Sequence, residues 1–196
     1  MARNRAAILN AAIETMAENG SQTAVDQVAE RADVALSTVY KHFKNRDELF
    51  VSAMSAAMSD WEGWAFQIIS TSEDPLEQLV LPMRLLARLR STHPLYAQLI
   101  EKNIAFSAAH NPLFSGFEGH VKSLIRAGVL KLDHPDIRIQ NFQGLLFQAI
   151  SNQITNPKAS PQDADLAIEI GLSLLNITPA KARKLTQSKL PIRQYQ

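Results

Sequence analysis

Residues 25–49, VDQVAERADVALSTVYKHFKNRDEL, decide how this chain folds. Val25, Val28, Ala29 and Ala32 recur at three- and four-residue steps, which places them on one face of a short helix. Asp26, Gln27, Glu30 and Arg31 take the other face. Asp33-Val34-Ala35 reads as a turn. Leu36 to Phe43 reads as a second helix, with Val39 and Phe43 inward at i, i+4 and Leu36, Ser37, Thr38, Lys41 and His42 mainly outward. Helices this short are unstable alone, so each must pack on its neighbours. Two short helices joined by a three-residue turn form the helix-turn-helix arrangement. In it the second helix lies in the major groove of a duplex and the first crosses the backbone.

The outward chemistry suits that use. Between residues 36 and 46 stand Lys41, His42, Lys44 and Arg46, and no acid. Thr38 and Tyr40 add hydroxyls. These groups donate to phosphate oxygens and base edges, and none brings negative charge toward DNA. The net charge of +1 hides this local patch.

The flanks complete a three-helix head. Ile8, Ala12 and Met16, with Leu9 and Ile13 beside them, predict a helix over about 5–18 that Asn19-Gly20 closes. Thr23 with Asp26 three residues on matches a capping box. Asn45, or a neighbouring backbone group, starts the next helix, and Asp47 and Glu48 complement the positive end of its dipole.

Residues 5–49 resemble the DNA-binding domain of the TetR family of bacterial transcriptional regulators. Gly20, Thr23, Val28-Ala29, Val34, Thr38-Val39-Tyr40-Lys41-His42-Phe43, Arg46 and Leu49 fall in the order and spacing of that family's pattern. Three positions depart from it. Ala24 replaces a threonine, Asp33 replaces the turn glycine, and Ala35 replaces the serine that would cap the second short helix. The resemblance implies a homodimer on a palindromic double-stranded operator, released by a small-molecule effector, and hence a repressor. On this reading Leu36, Ser37, Thr38 and Lys41 face bases. Tyr40, His42, Arg46 and the helix start near Thr23 hold phosphates, and Arg5 reaches the backbone from the N-terminal arm.

Beyond residue 46 the chain reads as helices punctuated by proline. They are expected over about 46–72, 75–90 with Pro82 inside, 94–109, 112–127, 136–154, 161–177 and 179–188. The expected fold class is all-α: a helix-turn-helix DNA-binding domain over 1–46 and a helical effector-binding and dimerisation domain over 47–196. Trp61, Trp64, Met83, Leu86, Phe106, His110, Phe114, Phe117 and Phe147 are the candidate pocket lining, with His110 and Asn103 as polar donors to an effector. Phe142, Leu146, Ala149 and Gln153 on one helix, and Leu166, Ile170 and Leu174 on the next, are the candidate dimer interface. Gly171 allows close approach there, and two such helices per subunit form a four-helix bundle.

Other classes find little support. The chain has no cysteine, so thiolate catalysis, thiolate metal sites and disulfides are excluded. It carries no GxSxG motif and no glycine-rich phosphate loop. Its histidines lack metal-ligand spacing, so no metal or cofactor is expected. The N-terminus lacks the apolar run of a signal peptide. The longest charge-free run, 139–157, holds seven Asn or Gln residues, so no membrane span and a cytoplasmic location are expected. Two alternatives stay open: an architectural or recruiting DNA-binding factor without an effector, and a helical enzyme or carrier.

Overall fold

The computed structural model describes residues 2–106, 116–190 and 192. Every regular element among them is helical. In chain order they are α1 (Ala2–Asn19), a 3-10 turn (Gly20–Gln22), α2 (Val25–Arg31), α3 (Leu36–His42) and α4 (Arg46–Ile69). Then come α5 (Pro75–Leu86), α6 (Leu89–Thr92), α7 (Pro94–Lys102), α8 (Phe117–Arg126) and α9 (Pro135–Thr155). The chain continues with α10 (Pro161–Gly171), a second 3-10 turn (Leu172–Leu175) and α11 (Pro179–Gln187). None of these helices is long and apolar enough to cross a membrane.

Proline sets the starts. Pro75, Pro94, Pro135, Pro161 and Pro179 each occupy the first turn of their helix, where the missing N–H has no partner to lose. The Asp74 carboxylate accepts from the Leu76 N–H at 2.9 Å and caps α5. Ser160 and Asp163 cap α10 reciprocally, at 3.2 Å and 2.9 Å. Pro82 does not end α5, which runs on to Leu86. The expected single helix to residue 90 divides instead into α5 and α6 around Ala87 and Arg88, and the helix expected to 177 tightens into a 3-10 turn after Gly171.

The described chain forms two compact units. The first holds residues 2–62 and 93–106. Ile8, Ala12, Met16, Val28, Val39, Phe43, Leu49, Leu99 and Ile100 are buried in it, so the inward periodicity of the head is realised. The second holds residues 63–92 and 116–190. Its core includes Leu79, Leu85, Leu89, Ile139, Phe142, Ile150, Ile168 and Leu172. Helix α10 closes tightly on α9 at Gly171, where an added methyl would stand 3.1 Å from both Leu145 Cδ2 and Phe142 Cε2. Among the described residues of this unit, the buried charge of Arg84 is paired. Asp165 accepts from Arg84 at 3.0 Å and Arg88 at 2.6 Å, and Arg84 also donates to the Leu185 carbonyl at 3.1 Å, which ties α5, α10 and α11 together.

Candidate nucleic-acid interface

The head is assembled from short-range devices. Gly20, at φ +58°, turns the chain out of α1 in the left-handed region that glycine favours. Asp33 occupies the same region at φ +53° in the turn between α2 and α3, where the related pattern has glycine. The Val34 N–H donates to the Ala29 carbonyl at 3.0 Å and closes that turn. Ala35 supplies no side-chain cap to α3; the Thr38 N–H bonds the Ala35 carbonyl at 2.8 Å instead. Asn45 does cap α4. Its side-chain oxygen accepts from the Glu48 N–H at 2.8 Å, and the Glu48 carboxylate accepts from the Lys44 N–H at 2.7 Å.

The capping box expected at Thr23 does not form; only its return half appears, one residue on. Helix α2 starts at Val25, and the Gln27 side chain accepts from the Ala24 N–H at 3.0 Å. Thr23 is buried, and its hydroxyl donates to the Thr15 carbonyl at 3.1 Å, near the end of α1. That hydroxyl is therefore turned into the head, away from any phosphate. Arg46 is also engaged internally. Its guanidinium donates to the carbonyls of Thr23 (3.1 Å) and Ser21 (2.7 Å) and lies 4.2 Å from the centre of the Phe50 ring. Arg31 pairs with Glu18 at 2.6 Å, which raises the guanidinium pKa and links α2 to α1.

What remains outward is the face read from the sequence. Leu36, Ser37, Tyr40 and Lys41 are exposed, and Thr38 and His42 are half-buried. Val39 and Phe43, each 1% exposed, anchor the opposite side. Arg5 is exposed, with its guanidinium 5.1 Å from the Phe43 ring centre, beside the end of α3. The result is a helix that presents hydroxyl, cationic and one apolar side chain, packed on α1 and α2.

The other candidate residues distribute as follows. Trp61 is buried and Phe106 half-buried in the first unit, with Phe106 edge-on to Phe50 at 6.4 Å. Trp64, Met83 and Leu86 are buried in the second unit. Phe117 stacks on Phe142 at 5.3 Å, and Phe147 is half-buried. His110 and Phe114 lie outside the described residues. Asn103 is buried, and its amide donates to the Met16 and Leu99 carbonyls, so both N–H groups are committed within the protein.

Among the interface candidates, Phe142, Leu146 and Gln153 turn inward and are buried within the protomer. The helical period holds, and these three positions lie on the core face of α9. On α10 the choice differs: Leu166 is 55% and Ile170 60% exposed, and Leu174 is half-buried. Ile137 at 62%, with Gln140, Asn141, Gly144 and Gln148, forms the outward face of α9. Ala149 and Gln153 line a groove of about 310 Å³ between α9 and α10, with Leu145, Asn152, Ala164 and Ala167.

Comparison with known proteins agrees with this geometry. The model of the family described as "Bacterial regulatory proteins, tetR family" matches residues 8–53. A fatty acid metabolism regulator protein of Bacillus subtilis is 26% identical over 176 residues, 81% of this chain and 86% of that one. The crystal structure of RolR with resorcinol superposes with a TM-score of 0.76 at 20% identity, over 97% of this chain and 96% of that one. FadR from Bacillus subtilis, solved with stearoyl-CoA, gives 0.64 at 22% identity, over 87% and 97%. With the α2–turn–α3 head in place and the family model centred on it, residues 8–53 match the TetR family of bacterial regulatory proteins.

Proposed function

We propose that this protein is a ligand-responsive transcriptional repressor that grips a palindromic operator as a homodimer and is released by a small molecule. The observation that carries this is the acid-free outer face of α3, with Ser37, Tyr40 and Lys41 exposed over a base fixed by Val39 and Phe43. Leu36, Ser37, Thr38 and Lys41 address base edges, Leu36 through a thymine methyl. Tyr40, His42 and Arg5 address phosphates. Arg46 and Thr23 serve that surface from within, by fixing the strap between α1 and α2. Residues 1–46 are the DNA-binding domain, and 47–196 the effector and dimer domain. The reading is that of a cytoplasmic transcription factor and not an enzyme.

The dimer face is the outward side of α9 and α10, built on Ile137, Gly144, Leu166 and Ile170, with the small side chains of the α9–α10 groove receiving knobs from the partner. A two-fold face of this kind matches two half-sites one helical turn apart, about 34–36 Å. Effector binding is assigned to apolar residues of the second unit, Trp64, Met83, Leu86, Phe117 and Phe147. Two similar structures hold small molecules as different as resorcinol and stearoyl-CoA, which supports a ligand-binding role and leaves its chemistry open.

Selection of bound duplexes from a random pool tests the DNA reading. The expected product is an inverted repeat bound with a steep salt dependence. Recovery of no sequence, or of a single unpaired half-site, would sink it. Titration of the selected complex with resorcinol and with stearoyl-CoA then tests release.

A further inference from the structure

Helix α7 lies far beyond the helix-turn-helix in sequence, yet it belongs to the first compact unit. Three contacts hold it there. The Tyr96 hydroxyl donates to Asp60 at 2.7 Å, joining α7 to α4. Gly20 sits so close that an added methyl would meet the Lys102 carbonyl oxygen at 2.8 Å. Asn103, 5% exposed and immediately after α7, donates to the Met16 carbonyl of α1 at 3.1 Å and to Leu99 at 2.8 Å.

The Met16 contact has a specific physical meaning. Met16 lies in the last turn of α1, where Asn103 adds a side-chain donor to its carbonyl in a dry place. Thr23 makes a neighbouring contact, its hydroxyl donating to the Thr15 carbonyl of α1 at 3.1 Å. Between these two pins run Gly20, Ser21 and Gln22, and Arg46 grips the Ser21 and Thr23 carbonyls. The direction in which the chain leaves α1 sets the start of α2, and α3 is packed on α2.

We infer that Asn103 is a positioning residue for operator binding: it makes α7 part of the DNA-reading body, so that displacement of α7 loosens the pose of α3. This rests on the assignment of α3 as the operator reader. An effector that shifted α7 would act through this amide, without touching the DNA face.

The test uses the full-length protein and the duplex selected with it. Asn103→Leu is expected to weaken operator binding at least tenfold, with all half-site sequences affected alike. Asn103→Ala serves if the leucine variant folds poorly. Leu185→Ala, in α11 of the second unit, is the control for general destabilisation and keeps wild-type affinity while its unfolding midpoint falls. Hydrogen exchange supplies a readout that a purely structural asparagine would not move. Operator binding slows exchange of the amides of residues 95–103 in the wild type, by linkage, and this protection vanishes in Asn103→Leu. Unchanged affinity in both Asn103 variants, an equal loss in Leu185→Ala, or no operator-linked protection of α7 would each overturn the inference. Failure of the wild type to bind any duplex would instead overturn the operator reading on which it rests.

Discussion

The Arg46 guanidinium donates to the Thr23 carbonyl at 3.1 Å, twenty-three residues back along the chain, and stacks 4.2 Å from the Phe50 ring centre. A basic residue at the edge of a DNA-reading helix is easily taken for a phosphate ligand. Here two of its five N–H donors go to the protein, to the Thr23 and Ser21 carbonyls. Arg46→Ala is expected to lower affinity for every site alike, about tenfold or more, since hydrogen bonds from a charged group contribute roughly 1.5–3 kcal/mol. The dependence of log K on log salt separates the roles. Loss of a phosphate contact would flatten the slope by about 0.9, and loss of a strut leaves it nearly unchanged. Arg46→Lys is expected not to rescue, because an ammonium lacks the planar fork that spans two carbonyls and stacks on a ring.

Lys41 differs because it is exposed and stands on the face of α3 that bears no acid. Lys41→Ala is expected to cost about 1–3 kcal/mol at the best operator and much less at variants changed at one base pair. Binding measured across all single-base operator variants checks this. A uniform loss would make Lys41 a phosphate contact and move base reading to Ser37 and Thr38.

Much of the head was legible in sequence, because its devices are local. The inward pair Val39 and Phe43, the left-handed Gly20 and the Asn45 cap all act within a few residues of themselves. Asp33 shows why a departure from a pattern need not change the fold: its φ of +53° is one that an aspartate tolerates. The roles of Thr23, Arg46 and Asn103 were not legible. Each has its partner 8 to 87 residues away, and nothing in a local pattern distinguishes a hydroxyl or amide facing solvent from one facing a distant carbonyl. Helix α9 failed for another reason. From Ile139 onward both of its faces carry apolar and amide side chains without charge, so periodicity locates two stripes and cannot rank them.

Glycines in the helices should respond in opposite directions. Gly63 lies inside α4, and an added methyl there would meet nothing within 4 Å. Gly63→Ala is expected to stabilise by up to about 1 kcal/mol, the usual difference in helix propensity. Gly171→Ala is expected to destabilise by about 1–3 kcal/mol, because its methyl would press on Phe142 and Leu145 at 3.1 Å in a packed core. Urea unfolding midpoints check both, and matching signs would mean that backbone entropy outweighs packing at one of the two sites.

Two histidines give the protein a pH response. Burial pushes the His120 imidazole below its usual 6.5, and burial also lowers His93, against the opposing pull of the Asp60 carboxylate. The folded state thus favours the neutral rings, and the unfolded state binds more protons. Their contribution is complete above about pH 6.5 and is lost as pH falls through the lowered folded values. The unfolding midpoint is expected to drop between about pH 7.5 and about pH 5.5. His120→Gln should make that drop smaller. A midpoint that rises on acidification would contradict the sign for both residues.

The dimer face offers the sharpest contrast between neighbouring positions. Ile170 is 60% exposed on α10, and Phe142 is fully buried on α9 beneath Gly171. Ile170→Glu places a charge on the proposed two-fold interface but does not disturb the protomer core. It is expected to shift the protein toward monomer in sedimentation, leave the helical circular dichroism unchanged, and weaken operator binding through loss of the second half-site. Phe142→Ala is expected to act through folding, at about 3–5 kcal/mol, as removal of a buried aromatic does. If Ile170→Glu remains dimeric at micromolar concentration, the interface lies on another face. The exposed side chains of Leu166 and Ile170, one turn apart on α10, would then need a different occupant.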